Sequence, residues 1–112
     1  MKKLFLILFC SCLLHAATLG ETLFHGNCIT CHEIATTNSA PAIKEVQAQY
    51  KQHFATEERF IEFMVGWLQK PNAKTAIMRT SIAQFGLMPT LGYDEETLRE
   101  IATFLYNSSF EH

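Results

Sequence analysis

The sequence predicts an all-α chain, on three grounds. Apolar residues recur at three- and four-residue intervals in successive stretches beyond residue 17, the period of helices with one buried face. Thr18, Thr56 and Asp94 stand directly in front of such stretches, where a side-chain oxygen can cap the free N–H groups of a first turn. No run alternates apolar and polar residues convincingly over the length of a strand.

The first helix opens at Thr18-Leu19-Gly20-Glu21, which has capping-box spacing with Thr18 as cap and Glu21 reaching back. It carries Leu23 and Phe24 inward and runs towards Gly26. Cys28 to His32 follow, then a polar loop through Thr36, Thr37, Asn38 and Ser39. Pro41 suits the start of a second helix, in which Ile43, Val46, Tyr50 and Phe54 share a face. Thr56 caps a third, with Glu57 and Glu58 placed well against the helix dipole. Its apolar stripe is Phe60, Ile61, Phe63, Met64, Trp67 and Leu68, and Pro71 ends it. A short helix is expected over residues 72–85, stopped by Gly86. Gly86 to Gly92 reads as a loop. Asp94 then caps a last helix, with Glu95 and Glu96 in its first turn and Leu98, Ile101, Phe104 and Leu105 along one side.

Residues 1–17 read as a signal peptide and residues 18–112 as one domain. Lys2 and Lys3 precede an apolar run from Leu4 to Leu14, and His15-Ala16-Ala17 offers small residues for cleavage. The run falls short of the roughly 20 residues a membrane span needs. A retained, membrane-anchored N-terminus and lipidation at Cys12 are the alternatives. Cleavage would remove Cys10 and Cys12, and would leave seven basic against eleven acidic residues, a net charge of about −4. That balance excludes nucleic acid, which needs a basic face, and an anionic membrane surface. It permits a protein partner with a basic docking patch. A domain this small gains from a covalent or metal staple.

Cys28-Ile29-Thr30-Cys31-His32 is the motif that carries chemistry. Two thiols three residues apart on a helical turn face one way and can form thioethers to two vinyl groups of a haem. The adjacent imidazole then reaches the iron from the same side. A thioredoxin-like dithiol would sit beside a βαβ pattern that is missing here. A structural zinc site would need further ligands at recognisable spacing. A plain disulfide would leave His32 without a role.

A sixth ligand can come from Met64, Met78, Met88, His25, His53 or His112. Met64 lies in a helix stripe, where methionine is commonly core filler. Met78 falls on the expected helix over residues 72–85. Met88 lies in a loop stiffened by Pro89, from which a thioether reaches inward without distorting a helix. His25 is too close in sequence to Cys28 to reach the far face of the ring. His53 stands among polar neighbours, and His112 is terminal. Met88 is therefore the favoured sixth ligand, with Met78 as the alternative and His53 third.

These features resemble the class I cytochromes c over nearly all of residues 18–112. Gly20, Phe24, Cys28, Cys31 and His32 have that family's opening spacing, and Phe85-Gly86-Leu87-Met88-Pro89 is similar to its methionine-ligand loop. The resemblance implies a small cytochrome c fold, with helices wrapped around one covalently bound haem c. It implies that Gly20 and Phe24 pack against the last helix near Ile101 and Phe104. It implies that the Pro41 carbonyl accepts the His32 Nδ1–H, and that the third helix brings Trp67 to the haem. Glu45 to Glu58 matches no motif of the family.

The expected function is one-electron transfer with His32 and Met88 on the iron, and no enzymatic activity. Phe24, Ile43, Trp67, Leu87, Leu91, Ile101 and Phe104 are expected to bury the haem. The expected setting is the periplasm, as a monomer without a membrane span in its mature form. Redox partners of the kind of a respiratory complex, oxidase, peroxidase or dehydrogenase would fit. The alternatives are a haem-bearing accessory subunit of an oxidoreductase, a haem-based gas sensor and a thiol-redox protein.

Overall fold

A computed structural model describes residues 18–110; the signal peptide expected over 1–17 and the terminal His112 lie outside the described residues. Five helices follow one another: α1 (Leu19–Asn27), α2 (Ile43–His53), α3 (Glu57–Gln69), α4 (Arg79–Phe85) and α5 (Glu95–Asn107). There is no strand among the described residues.

Side-chain oxygens set three of the helix starts. Thr18 Oγ1 accepts the Glu21 N–H at 3.1 Å, Thr56 Oγ1 that of Arg59 at 3.3 Å, and Asp94 Oδ1 that of Thr97 at 2.8 Å. The last bond favours the charged carboxylate and holds Asp94 below its ordinary value. The start of α2 is built differently. The N–H groups of Ile43 and Lys44 donate to the carbonyls of Glu33 and Ile34, at 2.9 and 3.0 Å. The Ala42 N–H donates to Thr37 Oγ1 at 3.1 Å.

The segment before α4 departs from the sequence expectation. Helix begins only at Arg79, and residues 72–75 form a turn. Asn72 explains it: its Oδ1 accepts the Lys74 N–H at 2.9 Å and its carbonyl accepts the Thr75 N–H at 3.1 Å. An asparagine side chain that bonds its own backbone two residues on competes with the helix ladder. Met78 consequently precedes α4 as its cap residue and does not lie on a helix.

The last helix, α5, packs against both α1 and α3. Phe24, Phe60, Leu98 and Ile101 are the largest fully buried side chains. Phe24 lies 5.1 Å, centroid to centroid, from Phe104 and stacks on Phe110 at 5.9 Å. At the crossing of α1 and α5 the backbones meet at Gly20, where a Cβ would overlap the Glu100 carbonyl and press on Phe104 Cβ at 3.2 Å. Helix α2 is tied to the end of α5 by the Gln47 amide, which donates to the carbonyls of Leu105 and Ser108, both at 2.7 Å. Lys51 Nζ adds a cation–π contact, 4.6 Å from the centre of the Tyr106 ring.

Gly20→Ala should therefore cost about 1–3 kcal/mol, the usual range for overpacking. The measurement is denaturant unfolding followed by helical circular dichroism. An unchanged midpoint would show that α1 and α5 do not meet at this residue.

Candidate functional site

The helical path of α1 does not stop at Asn27. Cys28 donates its N–H to the Phe24 carbonyl at 2.8 Å, and His32 donates to the Cys28 carbonyl at 2.8 Å. One further turn thus brings Cys28, Cys31 and His32 to the wall of a single cleft. Both cysteines are free thiols; Cys28 is partly buried and Cys31 exposed. Burial pushes the Cys28 thiol up to about 11, because a low dielectric disfavours the thiolate.

The His32 ring is held by its backbone acceptor. Nδ1 lies 2.7 Å from the Pro41 carbonyl, and a carbonyl can only accept. In the neutral ring the proton therefore sits on Nδ1, and Nε2 has its lone pair for a ligand bond. Pro41 is itself fixed from both sides. Ser39 Oγ donates to the Cys31 carbonyl at 3.3 Å, and Ala42 and Ile43 make the bonds that close the loop onto α2.

The cleft encloses about 1080 Å³ of atom-free space, the open solvent at its mouth included. Its lining is mainly apolar. Phe24, Ile43, Trp67 and Ile101 contribute as the sequence suggests, and Leu87 stands at the wall half exposed. Leu91 and Phe104 do not line it. Phe104 packs on Phe24 and His25, and the Leu91 N–H donates to the Leu68 carbonyl at 3.2 Å. His25 and His53 are exposed and also lie off the cleft.

Three methionines reach this wall: Met64, Met78 and Met88. Met64 is at once core and lining, which its place in a helix stripe did not distinguish. Met78 is free of the helix expected to hold it, so that ground for preferring Met88 no longer applies. Tyr50 also lines the cleft and was not singled out by sequence. Its phenol is lifted above the ordinary range by burial, yet in sequence it is one more apolar-face residue of α2.

Together these groups fit a c-type haem. The cleft offers free thiols at thioether spacing, an imidazole with its tautomer set, soft thioether sulfur and apolar walls. The other chemistries weighed for the motif fit less well. Among the described residues no three His, Cys, Asp or Glu side chains converge as a zinc site requires. A thiol raised by burial is the reverse of the lowered thiol that thiol–disulfide exchange uses.

A family model described as Cytochrome c matches residues 17–109. No curated protein and no solved structure matches the chain.

At pH 8 a thiol titrating near 11 is ionised in only about one molecule in a thousand. In the polypeptide with unmodified thiols, iodoacetamide should label exposed Cys31 about tenfold or more faster than Cys28, read by mass spectrometry. Equal rates would contradict the burial of Cys28.

Proposed function

We propose that this chain, which belongs to the cytochrome c family, is a one-electron carrier whose haem c is held by Cys28, Cys31 and His32, with Met88 as the sixth ligand. Members of the family bind haem c covalently, and the two cysteines stand at the CxxCH spacing used for it. The observation that carries the residue assignment is the pinned imidazole: His32 bonded to Pro41 at 2.7 Å, on the same cleft as both thiols and Met88.

Haem supplies a one-electron Fe(III)/Fe(II) couple. The rest is the work of the chain's own residues. Cys28 and Cys31 would hold the group by carbon–sulfur bonds. Donation from Nδ1 to Pro41 orients the His32 ring and raises the basicity of Nε2. Met88 supplies a soft sulfur, which favours the reduced metal. Its loop is shaped by Gly86, whose φ of +84° ends α4 in a conformation that suits glycine, and by Pro89. Phe24, Ile43, Trp67 and Ile101 give the cleft apolar walls, and a low dielectric there would further disfavour the more charged oxidised state. With His32 and Met88 both holding the group, the site would leave no place for a substrate, which supports a carrier over an enzyme.

A redox protein is the partner, and local charge matters more to it than net charge. The segment that supplies Ala76, Ile77 and Met78 to the cleft belongs to a stretch bounded by Glu62 and Asp94. That stretch contains Lys70, Lys74 and Arg79 and no carboxylate. In space Glu45 lines a groove together with Met78 and Arg79, so the surface beside this segment carries charges of both signs for a partner to meet. The N-terminal pattern supports export to the periplasm, with 1–17 as the signal and a monomeric domain after it. No helix among the described residues is long and apolar enough to cross a membrane.

Made in a host that attaches haem, the protein should stain for haem on a denaturing gel. The double substitution Cys28→Ser, Cys31→Ser should abolish the stain; colourless wild-type protein would end the proposal. The ferric protein should show the weak near-red charge-transfer band of a thioether ligand. Met88→Ala should remove that band and lower the reduction potential, while Met78→Ala should leave both in place. The opposite pattern would transfer the ligand role to Met78.

A further inference from the structure

The loop that carries Met88 has no regular structure between Gly86 and Asp94. Among the described residues, only two hydrogen-bonded ties join residues 87–93 to the rest of the chain. One is the Leu91 N–H to the Leu68 carbonyl at 3.2 Å. The other is the Tyr93 phenol on the Asn27 side chain, with Oη 3.2 Å from Nδ2 and 3.4 Å from Oδ1. Asn27 is the last residue of α1 and directly precedes Cys28. Its Nδ2 also donates to the Leu23 carbonyl at 2.8 Å, which fixes the orientation of the amide.

We infer that Asn27 and Tyr93 form a clasp that holds the Met88 loop shut, making them positioning residues for the sixth ligand. The inference rests on Met88 being that ligand. Its logic is mechanical. The clasp joins the residue before the first thioether cysteine to a residue five places after Met88, bridging 66 residues of sequence. It therefore couples the attachment turn to the distal loop directly. Between Tyr93 and Met88 the backbone is limited by Pro89 and tied at Leu91 to Leu68, so the clasp closes the loop end beyond that tie and acts on Met88 together with it. The pair is solvent-accessible, with Tyr93 38% exposed. Water competes for the bond, and its contribution is that of one ordinary hydrogen bond. Losing it should raise the population of the open loop about two- to tenfold.

The test uses the ferric holoprotein and imidazole, an added ligand that binds once Met88 has left. Its apparent affinity scales with the open population. Tyr93→Phe keeps the ring and removes only the hydroxyl. It should bind imidazole about two- to tenfold more tightly than wild type, with the near-red band still present before imidazole is added. Asn27→Ala should do the same, and the double variant should gain no more than the larger single effect, because both changes break one contact. In a Met88→Ala background Tyr93→Phe should change nothing, since the clasp then has no ligand to hold.

A merely structural role would not produce that dependence on Met88. If the band is present and Met88→Ala removes it, yet Tyr93→Phe binds imidazole as wild type does, the clasp is overturned and the ligand assignment stands. Equal tightening with and without Met88 also overturns the clasp. If the band is missing from wild type or survives Met88→Ala, the ligand assignment itself is wrong, and the inference goes with it.

Discussion

The crossing of α1 over α5 sets the position of nearly everything that follows it. At Gly20 the α1 backbone lies so close to the Glu100 carbonyl that no side chain fits between them. One helical turn later Phe24 is fully enclosed by α5 and the C-terminal segment. Another turn brings Cys28, whose N–H bonds to the Phe24 carbonyl. The first thiol is therefore placed by rigid helix geometry measured from the crossing, at 1.5 Å of rise per residue. The same contact places the cleft's inner wall, because Ile101 and Leu105 project from α5 just beyond it. A displacement at Gly20 would move the wall and the thiol relative to each other.

The polar groups around the cleft are satisfied, which lets the lining remain apolar. His32 Nδ1 is bonded to Pro41, the first N–H groups of α2 go to Glu33 and Ile34, and Gln47 takes carbonyls at the end of α5. No buried side-chain nitrogen or oxygen among the described residues lacks a partner. Burial without such partners would be costly.

How far the sequence foretold this depends on the range of each interaction. The starts of α1, α3 and α5 were readable because a cap and the N–H it serves are three residues apart. The CxxCH turn was readable for the same reason. The stretch before α4 was misjudged because a single Asn72 side chain outweighs the helical period that follows it. Phe104 packs on Phe24 and beside Gly20 as the resemblance implied, but neither it nor Leu91 lines the cleft: each is apolar on a plausible face, and only the packed structure shows which cleft or core that face meets. Gln47 and the Asn27–Tyr93 pair were invisible, since their partners lie 58 to 66 residues away and polar residues at such positions ordinarily read as solvated surface.

The orientation of His32 shows why the motif alone does not make the site. Five residues specify that an imidazole follows two thiols; they do not specify which nitrogen faces the cleft. That choice belongs to the Pro41 carbonyl. Pro41 is positioned because residues 33–34 bond to the first turn of α2. Helix α2 is seated by the Tyr50 ring, which packs on Phe60 and Phe63 of α3, and by Gln47 and Lys51 on the end of α5. Helix α5 is in turn seated on α1. The constraint thus runs in a closed path, from α1 through the thiols and His32 to the loop, α2, α5 and back to Gly20. A ring of that kind resists rotation of the imidazole more than a single hydrogen bond would, because turning the ring means moving the loop against a helix anchored at its far side. The tautomer that leaves Nε2 free is accordingly a property of the whole fold.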